Sequence, residues 1–215
     1  MKRHELRDLI AGGESSTVEF KRKFTSAEKF AREIIAFANT AGGYLIIGVD
    51  DDGTVIGVES EKEIVELVEV ARHYITPDLT LDTEIVEIEF VDVAVVHIPN
   101  SEEKPHRLIS EDPSERPHER KAFIRQGENS VTASKEMAKI LAGQNPDAPP
   151  MTLSIGDRER RLFTYLERYG KASVNDFARL VNISKRRASQ ILVKLVRAGV
   201  LHIHTDAGGD FYTLV

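Results

Sequence analysis

The chain has 215 residues and no cysteine; 41% of its residues are hydrophobic and 30% are charged. This length suits one large or two small globular domains, and the composition excludes a disulfide scaffold, a cysteine nucleophile and a cysteine-ligated zinc site. No apolar run approaches the ~20 residues of a membrane span. Residues 1–8 lack the apolar core of a signal peptide, so we expect a cytoplasmic protein with no membrane partner.

The net charge of -6 is unevenly distributed along the chain. Residues 153–215 contain 11 basic and 6 acidic residues, a balance of +5, whereas residues 1–152 contain 18 and 29, a balance of -11. A basic segment on an acidic body predicts that the segment meets a polyanion. A glycine and three prolines within 143–150 predict a linker, so we expect domains at 1–142 and 153–215 joined by a linker at 143–152.

The first domain mixes strand and helix patterns, which predicts an α+β fold with a mixed sheet. A strand at 18–24 precedes a helix that Ser26 caps and that ends near Thr40. The nearly all-apolar strand at 44–49 is expected in the centre of the sheet. After a turn at 50–53, we predict a returning strand at 54–58, a helix ending before Pro77, a hairpin at 81–90 and 92–98, an exposed loop at 99–118, a strand at 121–126 and a helix at 134–141.

The second domain reads as three helices followed by a hairpin. The helices are predicted at 157–169, from Ser173 and at 184–198, and the hairpin strands at 200–204 and 211–214. This is the order of a winged helix-turn-helix domain. Over about 60 residues the segment resembles the winged-helix regulators of bacteria and archaea.

The third helix of this domain is the candidate DNA-reading element. Its apolar residues predict one buried stripe, which leaves a basic outer face. Arginine can bond a guanine edge and glutamine an adenine edge, while the other side chains hold phosphate. The alternative is a winged helix used for protein contact or dimerisation. The predicted nucleic-acid-binding residues are Ser184, Lys185, Arg186, Arg187, Ser189, Gln190, Lys194 and Arg197.

Acidic residues of the first domain form a candidate metal site. Glu19 and Lys21 share one face of the predicted strand, because side chains repeat with period two, and Glu14 lies just before it. Asp51 follows the central strand, where sheet sites commonly lie. Three carboxylates brought together could hold Mg²⁺ or Mn²⁺, with Lys21 near a phosphate. Carboxylates at turn tips are also often simply solvated, so both interpretations stay open.

Two motifs within residues 14–21 and 36–53 resemble the Schlafen/AlbA-like domain. The first motif is a glutamate, four residues and then Glu-Phe-Lys. The second is Ala-Phe-Ala-Asn-Thr-x-Gly-Gly-x-Leu-x-Ile-Gly-Val-Asp-Asp-x-Gly, and the chain carries nearly all of both. Residues 122–133 are similar to the family's arginine–glycine strand and turn, so the resemblance covers roughly residues 5–142.

The resemblance implies two functions. Many prokaryotic members resemble transcriptional regulators that carry a C-terminal winged helix, which implies a DNA-binding regulator whose partner is duplex DNA. Animal Schlafens with nuclease activity use three carboxylates and a divalent metal to cut structured RNA. That activity implies a metal-dependent endoribonuclease in which Glu14, Glu19 and Asp51 are catalytic metal ligands and Lys21 assists them.

This chain departs from the active Schlafens in one respect. They contain two such lobes that form a basic clamp, whereas this chain has one acidic lobe. We expect a homodimer, which would restore two lobes and suit two DNA half-sites. Older family labels mention ATP, but we predict no ATP site. Lys171 follows a glycine, yet Ala172 comes next and Tyr165 stands where the first glycine of a phosphate loop should be.

Overall fold

The computed structural model describes residues 1–59, 61–109, 115–206 and 208–215, with the backbone alone for residues 61–63. The chain divides into two compact units, Met1–Ala133 and Ser134–Val215. Over the described residues it contains seven helices and ten strands, which confirms the predicted α+β class. In that part of the chain, no helix is both long and apolar enough to cross a bilayer.

A four-stranded mixed sheet forms the centre of the first unit. Its order is β1 (Val18–Lys21), β2 (Gly43–Ile47), β5 (Val91–Ile98) and β4 (Asp82–Ile88). β1 and β2 are parallel, since helix α2 (Ala27–Asn39) returns the chain to the same end of the sheet. The other neighbouring pairs are antiparallel, and β4 and β5 form the predicted hairpin.

Helices cover both faces of the sheet, which explains the apolar run in β2. Leu45 and Ile47 join a buried cluster with residues of α2 and of α3 (Glu61–Arg72). Ile46, on the opposite face, joins a second cluster that includes Leu6 of α1 (Arg3–Gly12). The central position predicted for this strand is therefore confirmed.

The returning strand predicted at 54–58 is wrong. Only an isolated bridge between Val49 and Val55 forms there. The carbonyl of Gly48 accepts the N–H groups of both Ile56 and Gly57, at 2.8 and 2.9 Å. Because one carbonyl takes two successive donors, the regular alternation of a strand ladder stops at this point.

The expectation of an exposed loop at 99–118 is wrong for Lys104, His106 and Leu108, which are buried; residues 110–114 lie outside the described part of the chain. Within the loop, β6 (Arg107–Leu108) pairs with β3 (Ile75–Thr76). The polar composition that suggested exposure is accommodated by internal hydrogen bonds.

Asn39 supplies three of these hydrogen bonds from the end of α2. Its Nδ2 donates to the carbonyls of His106 and Phe123, both at 2.9 Å, and its Oδ1 accepts the N–H of His106 at 2.7 Å. The His106 ring bonds the carbonyl of Pro77 at 2.9 Å and the hydroxyl of Ser101 at 2.7 Å. Burial lowers the pKa of His106, which favours the neutral ring. Asn39 therefore joins three separate segments of the chain.

The second unit contains the predicted order of three helices and a hairpin. A further helix, α4, precedes them; it was predicted at 134–141 and assigned to the first domain, but it packs on α7. The hairpin residue 207 lies outside the described residues. The elements are α4 (Lys135–Ala142), α5 (Asp157–Tyr169), α6 (Val174–Leu180), α7 (Lys185–Arg197), β9 (Leu201–Asp206) and β10 (Gly209–Leu214).

Replacing the buried amide, Asn39→Ala, should lower the free energy of unfolding by about 2–4 kcal/mol. The substitution leaves two carbonyls and one N–H buried without their partner, and each such loss costs about 1–3 kcal/mol before relaxation. Urea denaturation followed by circular dichroism measures the change. The control is Asn129→Ala at an exposed position of the same unit. Equal stability of the two variants would contradict the role given to Asn39.

Candidate functional site

Glu19 lies on edge strand β1 and is paired with two cations. Its carboxylate is 7% exposed as a residue, so it needs partners inside the protein. Arg125 Nη1 donates to Glu19 Oε2 at 2.9 Å, and Lys21 Nζ donates to Oε1. The pairing of Glu19 with Lys21 confirms that the two side chains share a face of the strand. Both oxygens of Glu19 are thus already engaged.

Arg125 is the centre of this ion network, and the sequence reasoning did not single it out. It lies on β7 (Phe123–Gln126), which pairs with β8 (Asn129–Thr132). The side chain is fully buried, and its guanidinium lies over the ring of Phe37 at 4.5 Å. The available signal was an arginine inside the strand-and-turn motif at 122–133. Besides Glu19, the guanidinium donates to Glu33 (3.3 Å), the Ser130 hydroxyl (3.1 Å) and the carbonyls of Ser15 (2.7 Å) and Glu128 (2.8 Å).

Glu14 lies beside this network. Its Oε1 accepts the N–H of Phe20 at 2.8 Å. Burial raises the pKa of Glu14, and the negative charges of Glu19 and Asp51 add to that rise, whereas the bond to Phe20 and the charge of Lys21 oppose it. The structure therefore brings all four predicted residues of the carboxylate site within electrostatic range of one another.

Strand pairing explains how residues 32 positions apart in the sequence come together. The register aligns Lys21 with Ile47, and the N–H of Gly48 donates to the carbonyl of Lys21 at 2.8 Å. The ends of two parallel strands therefore lie side by side, and the turn that carries Asp51 starts two residues beyond Gly48.

The carboxylates do not fit a metal ion in this arrangement. Glu19 has no free oxygen, and Asp51 is exposed on the turn. The neighbouring Asp50 is bonded to Arg22 at 2.9 Å. No group of three or more histidine, aspartate or glutamate side chains in the described ranges has an arrangement that could hold a metal. We therefore derive no chemical step through a metal at Glu14, Glu19 and Asp51.

The basic face of α7 is the second predicted site, and most of it is accessible. Ser184 caps the helix, its hydroxyl accepting the N–H of Arg187 at 3.2 Å. Among the described residues, no carboxylate pairs with a cation of the exposed part of this face. Arg197 is only half-buried. The exposed side chains are Ser184, Lys185, Arg186, Arg187, Gln190 and Lys194.

Ser189 is the exception, because it was predicted on the outer face and is buried, with 4% exposure. Its hydroxyl donates to Glu136 Oε1 of α4 at 2.7 Å and accepts from Lys139 Nζ at 3.3 Å. Val193, one turn further along α7, is also buried. Helix α4 covers both positions, a contact that the periodicity of α7 alone does not reveal.

A basic cleft of about 470 Å³ opens beside α7. Glu159, the one carboxylate among its described lining residues, accepts the N–H of Gly156 at 2.9 Å and so caps α5. The cations of the cleft therefore have a local excess of positive charge, which attracts phosphate groups. They are Lys139, Arg187, Lys194 and Arg197.

Residues 14–134, more than half of the chain, match the family model described as Schlafen, AlbA_2. The chain belongs to this Schlafen AlbA_2 family. The match spans the Glu14–Glu19–Lys21 motif, the Asp51 turn and the Arg125 hairpin. Family membership supports a function related to nucleic acids.

Solved structures similar to this chain include the DIP2311 protein from Corynebacterium diphtheriae, with a TM-score of 0.51 and 17% identity. That match covers 96% of this chain but only 37% of the other, and at this identity it shows the fold alone. The N-terminal domain of a RecG-related protein from Nitrosomonas europaea is 23% identical, with a TM-score of 0.41, over 59% of this chain and 88% of that one. No curated protein matches the chain.

Replacing the buried guanidinium, Arg125→Met, should lower the free energy of unfolding by about 3–5 kcal/mol. The change leaves Glu19 buried without its principal cation, and breaking a buried pair on one side costs about this much. Thermal and urea denaturation measure the loss.

Adding Glu19→Gln to Arg125→Met should recover part of the loss, because it removes the uncompensated charge. The single variant Glu19→Gln completes a double-mutant cycle, and the coupling energy follows from the three measurements. Strictly additive effects would show that Arg125 and Glu19 do not depend on each other.

Proposed function

We propose that the chain is a DNA-binding transcriptional regulator whose second unit is a winged helix-turn-helix domain. In this proposal α7 enters the major groove of duplex DNA, and the hairpin β9–β10 is the wing. The observation that carries the proposal is the exposed, unpaired basic side chains at the N-terminal half of α7. Recognition helices of this fold contact base edges from that half.

The residue types on this exposed face match the chemistry of a DNA groove. Arg186 and Arg187 have the bidentate donors that suit a guanine edge, and Gln190 suits an adenine edge. Lys185 and Lys194 are compact charges of the kind that hold phosphates. The basic cleft beside Arg187 and Lys194 adds a place for the sugar–phosphate backbone.

The charge of each unit supports assigning DNA contact to the second one. Residues 134–215 contain 13 basic and 8 acidic residues, a balance of +5, while residues 1–133 carry 16 and 27, a balance of -11. Neutralising phosphates with lysine and arginine releases counterions and supplies most of the salt-dependent affinity. The acidic family domain would then serve in dimerisation, sensing or a second, local nucleic-acid contact.

The double substitution Arg186→Ala with Arg187→Ala should weaken binding to a labelled duplex about 10-fold or more. Each lost contact to a base edge or phosphate costs about 1–3 kcal/mol, and the slope of log K against log salt should become shallower by about one per lost phosphate contact. Fluorescence anisotropy at several salt concentrations measures both quantities.

The matched control for this experiment is Arg158→Ala with Arg160→Ala, which removes the same charge from exposed positions on α5. We expect this control to change affinity only slightly. A chain in which both double variants bind duplex DNA as the parent does would overturn the proposal and favour a winged helix used for protein contact.

A metal-dependent endoribonuclease is the alternative, and the grouping of Glu14, Glu19, Lys21 and Asp51 is the observation in its favour. The two cations on Glu19 weigh against it, because a metal ligand needs a free oxygen. Resemblance to nuclease Schlafens and this grouping are the whole of its support.

Incubation of the purified chain with labelled transfer RNA should therefore leave the RNA intact, with or without Mn²⁺. Gel electrophoresis of the RNA is the measurement, with Glu19→Ala as the control for contaminating nucleases. Mn²⁺-dependent cleavage that disappears in folded Glu19→Ala would replace the present proposal with the nuclease.

A further inference from the structure

Helix α4 lies against the proposed DNA-reading helix and is joined to it by polar contacts. Glu136 and Lys139 both bond the buried Ser189 hydroxyl, at 2.7 and 3.3 Å. Farther along, Arg197 Nη2 donates to the carbonyl of Gly143 at 3.5 Å. α4 therefore follows α7 from Ser189 to Arg197.

The covered side of α7 is not the side that forms the core. Ser189, Val193 and Arg197 are spaced by four residues and form one stripe. Ala188, Leu192 and Leu195 form the neighbouring stripe that belongs to the buried cluster of the second unit. Val193 is 7% exposed although it belongs to no buried cluster of that core, so α4 is what removes it from solvent.

The covered stripe limits how deeply α7 can enter DNA. A major groove is about 12 Å wide and accepts one helix, whose diameter with side chains is about 10–12 Å. Two helices packed side by side exceed that width. With α4 in place, only the first turn of α7 and the flank that carries Gln190 and Lys194 are accessible.

The contact between α4 and α7 is of a kind that DNA can replace. The Glu136 carboxylate occupies a position on the reading helix where a phosphate or base acceptor would bond. α4 has eight residues, and a helix of that length is not stable without its packing. Releasing α4 therefore costs few contacts, and duplex DNA offers acceptors for the same donors.

We infer that α4 is a displaceable cover of the reading helix, and that α4 and duplex DNA compete for the stripe formed by Ser189, Val193 and Arg197. The inference rests on the proposed function. α4 begins three residues after β8 ends, so the family domain is covalently attached to the cover. A change at the β7–β8 hairpin, which carries Arg125, can therefore bias the cover through the chain.

The test fixes α4 on α7 with a reversible cross-link. The chain has no cysteine, so Glu136→Cys with Ser189→Cys supplies the only two thiols. A short bifunctional methanethiosulfonate reagent joins them, and dithiothreitol releases them. The locked chain should bind a labelled duplex at least about 10-fold more weakly than the same sample after release. Each single-cysteine variant, treated identically, is the control for the substitutions and the reagent.

A second variant tests the cover without chemistry. Glu136→Ala should raise affinity for the duplex beyond the rise caused by Glu167→Ala, which makes the same charge change at an exposed position of α5. The comparison removes the general effect of one fewer negative charge. Circular dichroism checks that both variants are folded.

The outcomes separate the inference from the proposed function. Equal affinity of locked and released chain, with binding still sensitive to Arg186→Ala and Arg187→Ala, overturns the cover and leaves DNA binding by α7 intact. Absence of duplex binding in the parent, locked and released chains overturns the proposed function, and the cover falls with it. Weaker binding only when α4 is locked supports both.

Discussion

A buried arginine and its carboxylate organise the family domain. Arg125 has no exposed side-chain surface, so its charge is tolerated only because donors and acceptors from several segments meet around it. Glu19 comes from β1, the Ser15 carbonyl from the segment before β1, and Glu33 from α2. The hairpin β7–β8 is thereby fixed against an edge of the sheet that the backbone ladder alone leaves unpaired on one side.

The same rule governs the far end of α2, where buried polar groups again hold segments distant in sequence. Asn39 satisfies backbone groups of His106 and Phe123, while Lys104 Nζ donates to the Thr40 carbonyl at 3.0 Å and to Asn100 Oδ1 at 2.6 Å. Burial lowers the pKa of Lys104. The family motif that contains Asn39 is thus explained by structure, without any direct part in binding.

These networks change the interpretation of the acidic motif. Glu19 would be a metal ligand by resemblance, but in the fold it is the counter-ion of Arg125 and Lys21. The acidic domain then has an architectural part, and the balance of +5 in residues 134–215 directs attention to α7. There, too, a buried polar contact matters most, because Ser189 and Glu136 join α4 to the reading helix.

Local patterns in the sequence determined the elements. Period-two and period-3.6 repeats predicted β2, α2 and α7, and the family motifs predicted the domain that the comparisons show. Contacts between distant residues were decided only by the tertiary structure. The pairing of Arg125 with Glu19 spans 106 positions, and the burial of Ser189 depends on a helix more than 50 residues away. Periodicity reports which face of an element is apolar, but which neighbour covers that face depends on how the whole chain packs.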